Sequence, residues 1–143
     1  MELMFQPLRK YADFTGRARR TEFWLFALLI FLIEVVFMAL LSAVGGSAFL
    51  IGDPAAAAAV QMNGAIGAVL LIHFAVMLAL LVPSLAVTFR RLHDTNRRGW
   101  WILLSFIPLI GALVLFIFYL LDGTPGPNRF GEDPKGRDAF QPA

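Results

Sequence analysis

Two arginine clusters frame an otherwise apolar chain. Arg17, Arg19 and Arg20, with Glu22, precede the first long apolar run, and Arg90, Arg91, His93, Asp94, Arg97 and Arg98 separate the second run from the third. A guanidinium is a planar fork that grips carboxylate or phosphate oxygens two at a time, which a lysine ammonium does not do. Arginines beside a membrane helix also anchor its end and bind anionic headgroups. The set Arg17, Arg19, Arg20, Arg90, Arg91, His93, Arg97 and Arg98 is therefore read both as a topological anchor and as a candidate site for a lipid phosphate, a phosphorylated ligand or an acidic partner. His93-Asp94 places an imidazole beside a carboxylate, the raw material of acid–base chemistry. Adjacent residues rarely aim at each other, however, and no serine or cysteine nucleophile stands near. Asp94-Thr95-Asn96 reads equally as a turn or helix cap. His73 and His93 form no recognisable metal-ligand set. No catalytic residue, metal or cofactor is assigned, and the chain is not expected to be an enzyme.

A second pair of ionisable residues lies inside the apolar runs. Glu34 is twelve residues beyond Glu22, and His73 is sixteen before Phe89. At about 1.5 Å per residue these are depths of roughly 18 and 24 Å, similar for antiparallel neighbours. An ionisable residue at membrane depth marks a functional site or a satisfied polar pair.

The elements that must carry these residues follow from composition. Hydrophobic residues make up 59% of the 143, charged residues 15%, and there is no cysteine. A soluble domain carries roughly 25% charged residues, and one of this size has too much surface to hide the excess apolar area. Three runs, 23–44, 65–89 and 100–121, reach the roughly 20 residues that a spanning helix needs. The first is too long for a signal-peptide core. The expectation is an all-α integral membrane protein of one domain with three transmembrane helices. A basic N-terminal segment 1–22 precedes them, 45–64 is an outer loop, 90–99 a basic cytoplasmic loop, and 122–143 a Gly/Pro-rich tail.

Orientation rests on the basic residues. Nine lie in the N-terminal segment and the 90–99 loop, none in the first linker and three in the tail. Positive charge favours the cytoplasm, so three crossings put the N-terminus inside and the tail on the opposite side. Trp24, Trp100 and Trp101 then fall at the cytoplasmic ends of their helices as interfacial anchors. Thr21 reads as an N-cap, with Glu22 at the positive end of the helix dipole. Gly64, Gly67, Ala68, Ala75 and Ala79 give close helix approach, while Pro83, Pro108 and Gly111 are candidate kinks. The prolines and glycines of the tail, with Asn128, Arg129 and Phe130, read as a folded cap more than a free linker.

Four stretches carry a family resemblance: FTGRARRTEFW (14–24), FRRLHDTNRRGWW (89–101), IPLIG (107–111) and GTPGPNRFGEDP (123–134). Together they resemble the DUF805 family of small bacterial inner-membrane proteins. The resemblance implies an inner-membrane location and no activity. The expected function is a non-enzymatic scaffold, adaptor or lipid- or phosphate-interacting module. Its expected partners are anionic lipid headgroups and other copies of the chain, with no nucleic acid. The alternative is a multimeric transporter or channel-like protein using Glu34 and His73.

Overall fold

The computed structural model describes residues 2–45, 52 and 64–137, and its regular elements are helices. They are α1 (Glu2–Arg9), α2 (Arg20–Ala43), α3 (Gly64–Asp94), a 3-10 helix (Gly99–Phe106) and α4 (Ile110–Leu120). The first two apolar runs are thus single helices of 24 and 31 residues, long enough to cross a bilayer. A helix of that length satisfies its backbone internally, as lipid demands. α2 begins at Arg20, so Thr21 lies within the first turn rather than preceding it.

Burial is inverted relative to a water-soluble domain. Phe31, Leu71 and Phe74 are 61%, 71% and 67% exposed, while Arg17, Glu22, Arg90, Arg91 and Asp94 are buried. Long apolar side chains exposed in such number, and charged ones buried, point to an apolar solvent. In the hydrophobic windows of α2 and α3, 11% of residues are buried. A core helix of a soluble protein would be mostly covered.

The chain forms two compact units, one of residues 28–81 and one of residues 1–27 with 82–143. In the first, α2 and α3 supply the buried Leu41 and Ile66, and the ring of Phe37 lies 4.6 Å from that of His73. The second unit holds both arginine clusters.

In that second unit the third apolar run departs from expectation. Residues 100–121 do not make one spanning helix. The 3-10 helix ends at Phe106, the chain turns at 107–109, and α4 packs back against the 3-10 helix. The cause is local. Leu109 sits at φ 63, ψ −63, and the Ile110 amide donates to the Pro108 carbonyl at 2.7 Å. That is a γ-turn of the rare, strained hand. Gly111 then lets the two arms close, because a methyl group built there would overlap the Leu104 carbonyl. A hairpin hides apolar residues from water as a spanning helix does, so hydropathy does not separate the two. The tip is itself apolar, with Phe106 81% and Leu109 87% exposed.

A Gly111→Ala substitution therefore opens the hairpin, whereas Gly67→Ala, where a methyl meets nothing, does not. The expected cost at Gly111 is about 1–3 kcal/mol, the usual range for forced overpacking. Thermal unfolding of the two variants in mild detergent checks it.

Candidate functional site

α3 ends in a motif that sets up the site. Asn96 takes the left-handed conformation at φ 56, the Arg97 amide donates to the Leu92 carbonyl at 2.9 Å, and the Asn96 amide donates to that of His93 at 2.9 Å. This is a Schellman cap with asparagine in the position glycine usually fills. It leaves the Asp94 carbonyl to the tail, where the Thr124 amide donates to it at 2.9 Å.

Arg17 is the centre of the site. Its Nε donates to Asp94 Oδ1 at 3.0 Å. Nη1 reaches the carbonyls of Gly126 at 2.7 Å and Gly131 at 3.5 Å. Nη2 reaches the Thr124 carbonyl at 2.5 Å and the Asp94 carbonyl at 3.4 Å. These five bonds match the five N–H groups of a guanidinium. The Thr124 and Gly126 carbonyls each precede a proline, and the Gly131 carbonyl also accepts from the Asn128 amide at 3.0 Å. Pro125 and Pro127 have no amide hydrogen and break any ladder, so the carbonyls around them need donors from elsewhere.

Arg91 completes the carboxylate. Its Nη1 donates to Asp94 Oδ2 at 2.6 Å, and its other nitrogens meet the carbonyls of Tyr119 and Leu121. Arg20 Nη1 donates to the Leu120 carbonyl at 3.2 Å and Trp24 Nε1 to that of Tyr119 at 3.4 Å. The last carbonyls of a helix have no partner within it, and cations are favoured there. Arg20, Arg91 and Trp24 thus cap α4. Gly123 is required at the next step, since a methyl there would strike the Asp94 carboxylate.

Arg90 behaves differently. It is fully buried, with Nη1 3.0 Å from Glu22 Oε1. The pair is off the hydrogen-bonding direction, and none of the three guanidinium nitrogens makes a directed bond. The Arg90 backbone is tied more conventionally, its carbonyl accepting from the Ala18 amide at 3.0 Å.

The tail folds over this core. The Asn128 side chain donates to the His93 carbonyl and to Thr124 Oγ1, each at 3.0 Å. His93 lies flat on Phe130 with ring centroids 3.9 Å apart, and its Nδ1 is 3.2 Å from the Gly16 carbonyl. The His93 ring is thus turned away from the bonds of Asp94, and the two do not act as a pair. Arg137 Nε donates to Asp133 Oδ2 at 2.8 Å, and Lys135 pairs with Asp122. Burial disfavours the charge on Asp133. The bonds it accepts from Arg137 and from the Lys135 amide outweigh that and hold its carboxyl at about 2, below the usual 3.8.

These contacts correct the expected topology. The tail was expected on the opposite side from the 90–99 loop, yet Thr124, Gly126, Asn128 and Gly131 bond to Arg17, His93 and Asp94. The turn at 107–109 brings the chain back. Of the eight cationic candidates, Arg17, Arg90 and Arg91 are buried within the fold, Arg20 caps α4 and His93 packs on the tail. Arg97 lies 3.9 Å over the Phe118 ring, and Arg98 is exposed. Arg19 is half-buried and makes no ion pair with a described carboxylate. Trp100 and Trp101 are 72% and 45% exposed, with Trp101 edge-on to Phe118. In the other unit, His73 Nε2 lies 3.2 Å from both Glu34 carboxylate oxygens. Sequence reasoning missed the acceptor role of Thr124, Gly126 and Gly131, whose only signal was the density of glycine and proline.

An inverted burial pattern, helices of spanning length and a charged centre closed by its own tail define a helical integral membrane protein. The chain belongs to the family described as "Protein of unknown function (DUF805)", which it matches over residues 11–132. It is 38% identical over 135 residues to "Inner membrane protein YhaH" of Escherichia coli (strain K12), covering 94% of this chain and 98% of that one. It is 35% identical to "Inner membrane protein YhaI" of the same strain, covering 94% and 97%. No solved structure matches. The protein is a multi-pass protein of the bacterial inner membrane.

Removing Arg17 leaves Asp94 with Arg91 alone and takes the side-chain donor from the Thr124 and Gly126 carbonyls, each orphaned buried group costing about 1–3 kcal/mol. Arg17→Ala is therefore expected to release residues 122–137 to limited proteolysis and to lower the unfolding temperature sharply, while Arg19→Ala leaves both unchanged. The Asp133 carboxyl adds a pH dependence. Its folded pKa lies below the unfolded value, so the docked tail binds fewer protons than the free tail. The stabilisation is present above about pH 4 and is lost as pH falls from 3.8 toward about 2. Hydrogen exchange at the Gly136 amide, which donates to the Asp133 carbonyl, is expected to accelerate across that window, and at higher pH in Arg137→Gln.

Proposed function

We propose that this protein is a non-enzymatic, lipid-interacting module of the inner membrane, with two crossings and a hairpin that enters and leaves by the cytoplasmic face. α2 and α3 make the crossings. The N-terminal segment, the 90–99 loop and the tail all lie in the cytoplasm. The observation that carries this reading is the docking of the tail on Arg17 and Asp94. In the proposed arrangement all twelve lysines and arginines of the chain lie on one face, and none lies in the 45–63 linker. Positive charge near membrane helices is retained in the cytoplasm, and twelve against none is a stronger bias than the nine against three of a three-span arrangement.

The buried arginines support a structural role rather than turnover. Arg17 and Arg91 spend their forks on the chain's own carbonyls and on Asp94. The polar centre is closed, and His93 and Asp94 face different partners. What remains for the surroundings is a cationic, aromatic surface at the level of lipid headgroups. The transporter reading rests on Glu34 and His73. Their mutual contact at 3.2 Å, roofed by Phe37, accounts for both as an internally satisfied pair.

The absence of native cysteine makes topology directly measurable. Single cysteines at Lys10, Asn96 and Glu132 are expected to react with a membrane-impermeant maleimide only after the inner membrane is opened. A cysteine at Asn63 is expected to react in intact spheroplasts. Labelling of Glu132→Cys from outside the membrane would restore the three-span arrangement and reject the proposal.

A further inference from the structure

Two arginines without an ion pair among the described residues, Arg98 and Arg129, line one cleft. A cavity of about 390 Å³ is lined by Phe89, Trp100 and Phe130 and by His93, Arg98 and Arg129. A second cavity, of about 460 Å³, shares Arg98 and Trp100 with the first and continues along Trp101, Leu103, Leu104 and Ile107 on the 3-10 helix. The two make one amphipathic groove, cationic and aromatic at one end and apolar at the other.

The cationic end is built. Arg129 Nη2 donates to the Asn96 carbonyl at 2.8 Å, and its guanidinium lies 4.8 Å from the Phe130 ring. Phe130 in turn is stacked on His93. Gly99 closes the floor, because a methyl there would overlap the Phe89 ring. Among the described residues, neither Arg98 nor Arg129 forms an ion pair with a carboxylate. Asp94 is engaged by Arg17 and Arg91, Glu22 by Arg90, and Asp122 by Arg20 and Lys135. Among the described residues, no acidic one lines either cavity.

We infer that this groove binds one anionic phospholipid. The phosphodiester sits between Arg98 and Arg129, and the first part of an acyl chain runs along Trp101, Leu103 and Ile107. Charge selects the headgroup. Two unpaired guanidiniums favour a phosphate, and a zwitterionic headgroup would bring an ammonium into a site with no carboxylate to receive it. The apolar extension selects a lipid over free phosphate, since a water-soluble anion gains nothing from Leu103 and Ile107. The inference deepens the lipid-interacting reading above and rests on it for the biological occupant, but the groove lies wholly within residues 89–130. Cysteine labelling tests the side of the membrane and lipid competition tests the groove, so the two fail separately.

The experiment is native mass spectrometry of the full chain in mild detergent, titrated with phosphatidylglycerol and phosphatidylethanolamine together. The expected result is one tightly retained phosphatidylglycerol, preferred by about tenfold, the usual weight of one charge-assisted contact. That preference is expected to vanish in Arg98→Gln/Arg129→Gln and to persist in Arg9→Gln/Lys10→Gln, which removes equal charge from the N-terminal segment. Equal loss in both double variants would mean diffuse attraction, and the site would be rejected. Displacement of the lipid by millimolar glycerol 3-phosphate would assign the pocket to a free phosphate and overturn the lipid. Should the arginine variant melt at a lower temperature, Leu103→Glu takes its place. That residue is half exposed on the apolar arm, and unchanged lipid retention there would equally overturn the proposal.

Discussion

The Arg17–Asp94 contact is the constraint on which the rest of the polar unit depends. Two buried charges lose a large hydration energy, which only close geometry and a full set of hydrogen bonds offset. Here the offset is nearly complete. Asp94 accepts from two arginines, and Arg17 spends its fork on Asp94 and on three tail carbonyls. The relation is mutual. Without Arg17 the Thr124 and Gly126 carbonyls lose the side chain that donates to them, and without the tail Arg17 has donors it cannot satisfy. The contact joins the segment before α2, the end of α3 and the tail, parts separated by up to 114 residues.

Around that centre, close backbone approach decides the form of the unit. Gly99 seats against Phe89, Gly111 against the Leu104 carbonyl and Gly123 against the Asp94 carboxylate. Each removes a side chain where two segments must touch. The carbonyls ending α4 are then near enough for Arg20, Arg91 and Trp24 to cap them. A helix of 11 residues has little stability of its own. This one is held at its start by the γ-turn, along its side by the 3-10 helix and at its end by side chains from α2 and α3.

Burial separates two groups among the arginines. Arg17, Arg90 and Arg91 lie inside the unit and hold it together, while Arg98 and Arg129 stand at its surface without ion pairs. Residues 11–132, the span shared with the family, contain Arg17, Asp94, the hairpin and the tail as far as Glu132. Asp133, Lys135 and Arg137, which fasten the end of the tail, lie beyond it. The family span therefore contains the polar centre and the groove beside it as one continuous piece.

By itself the sequence determined the solvent and the broad plan. Excess apolar residues demand lipid, and two runs with few charges make helices of spanning length. Glu34 and His73 are each at a depth where only a partner relieves them, and the glycines and prolines of the tail exclude helix and strand. It did not give the path of residues 100–121, which it reads as a third spanning helix and which the structure turns back at 107–109. An apolar run has the same hydropathy whether it crosses the bilayer or turns back, and proline does not decide, since Pro83 sits within α3 while Pro108 lies in the turn. Nor could it say which arginines are buried. All share one side chain, and their fates depend on which carbonyls arrive from a hundred residues away. Those carbonyls arrive only once the hairpin has closed, which makes the choice a property of the tertiary structure.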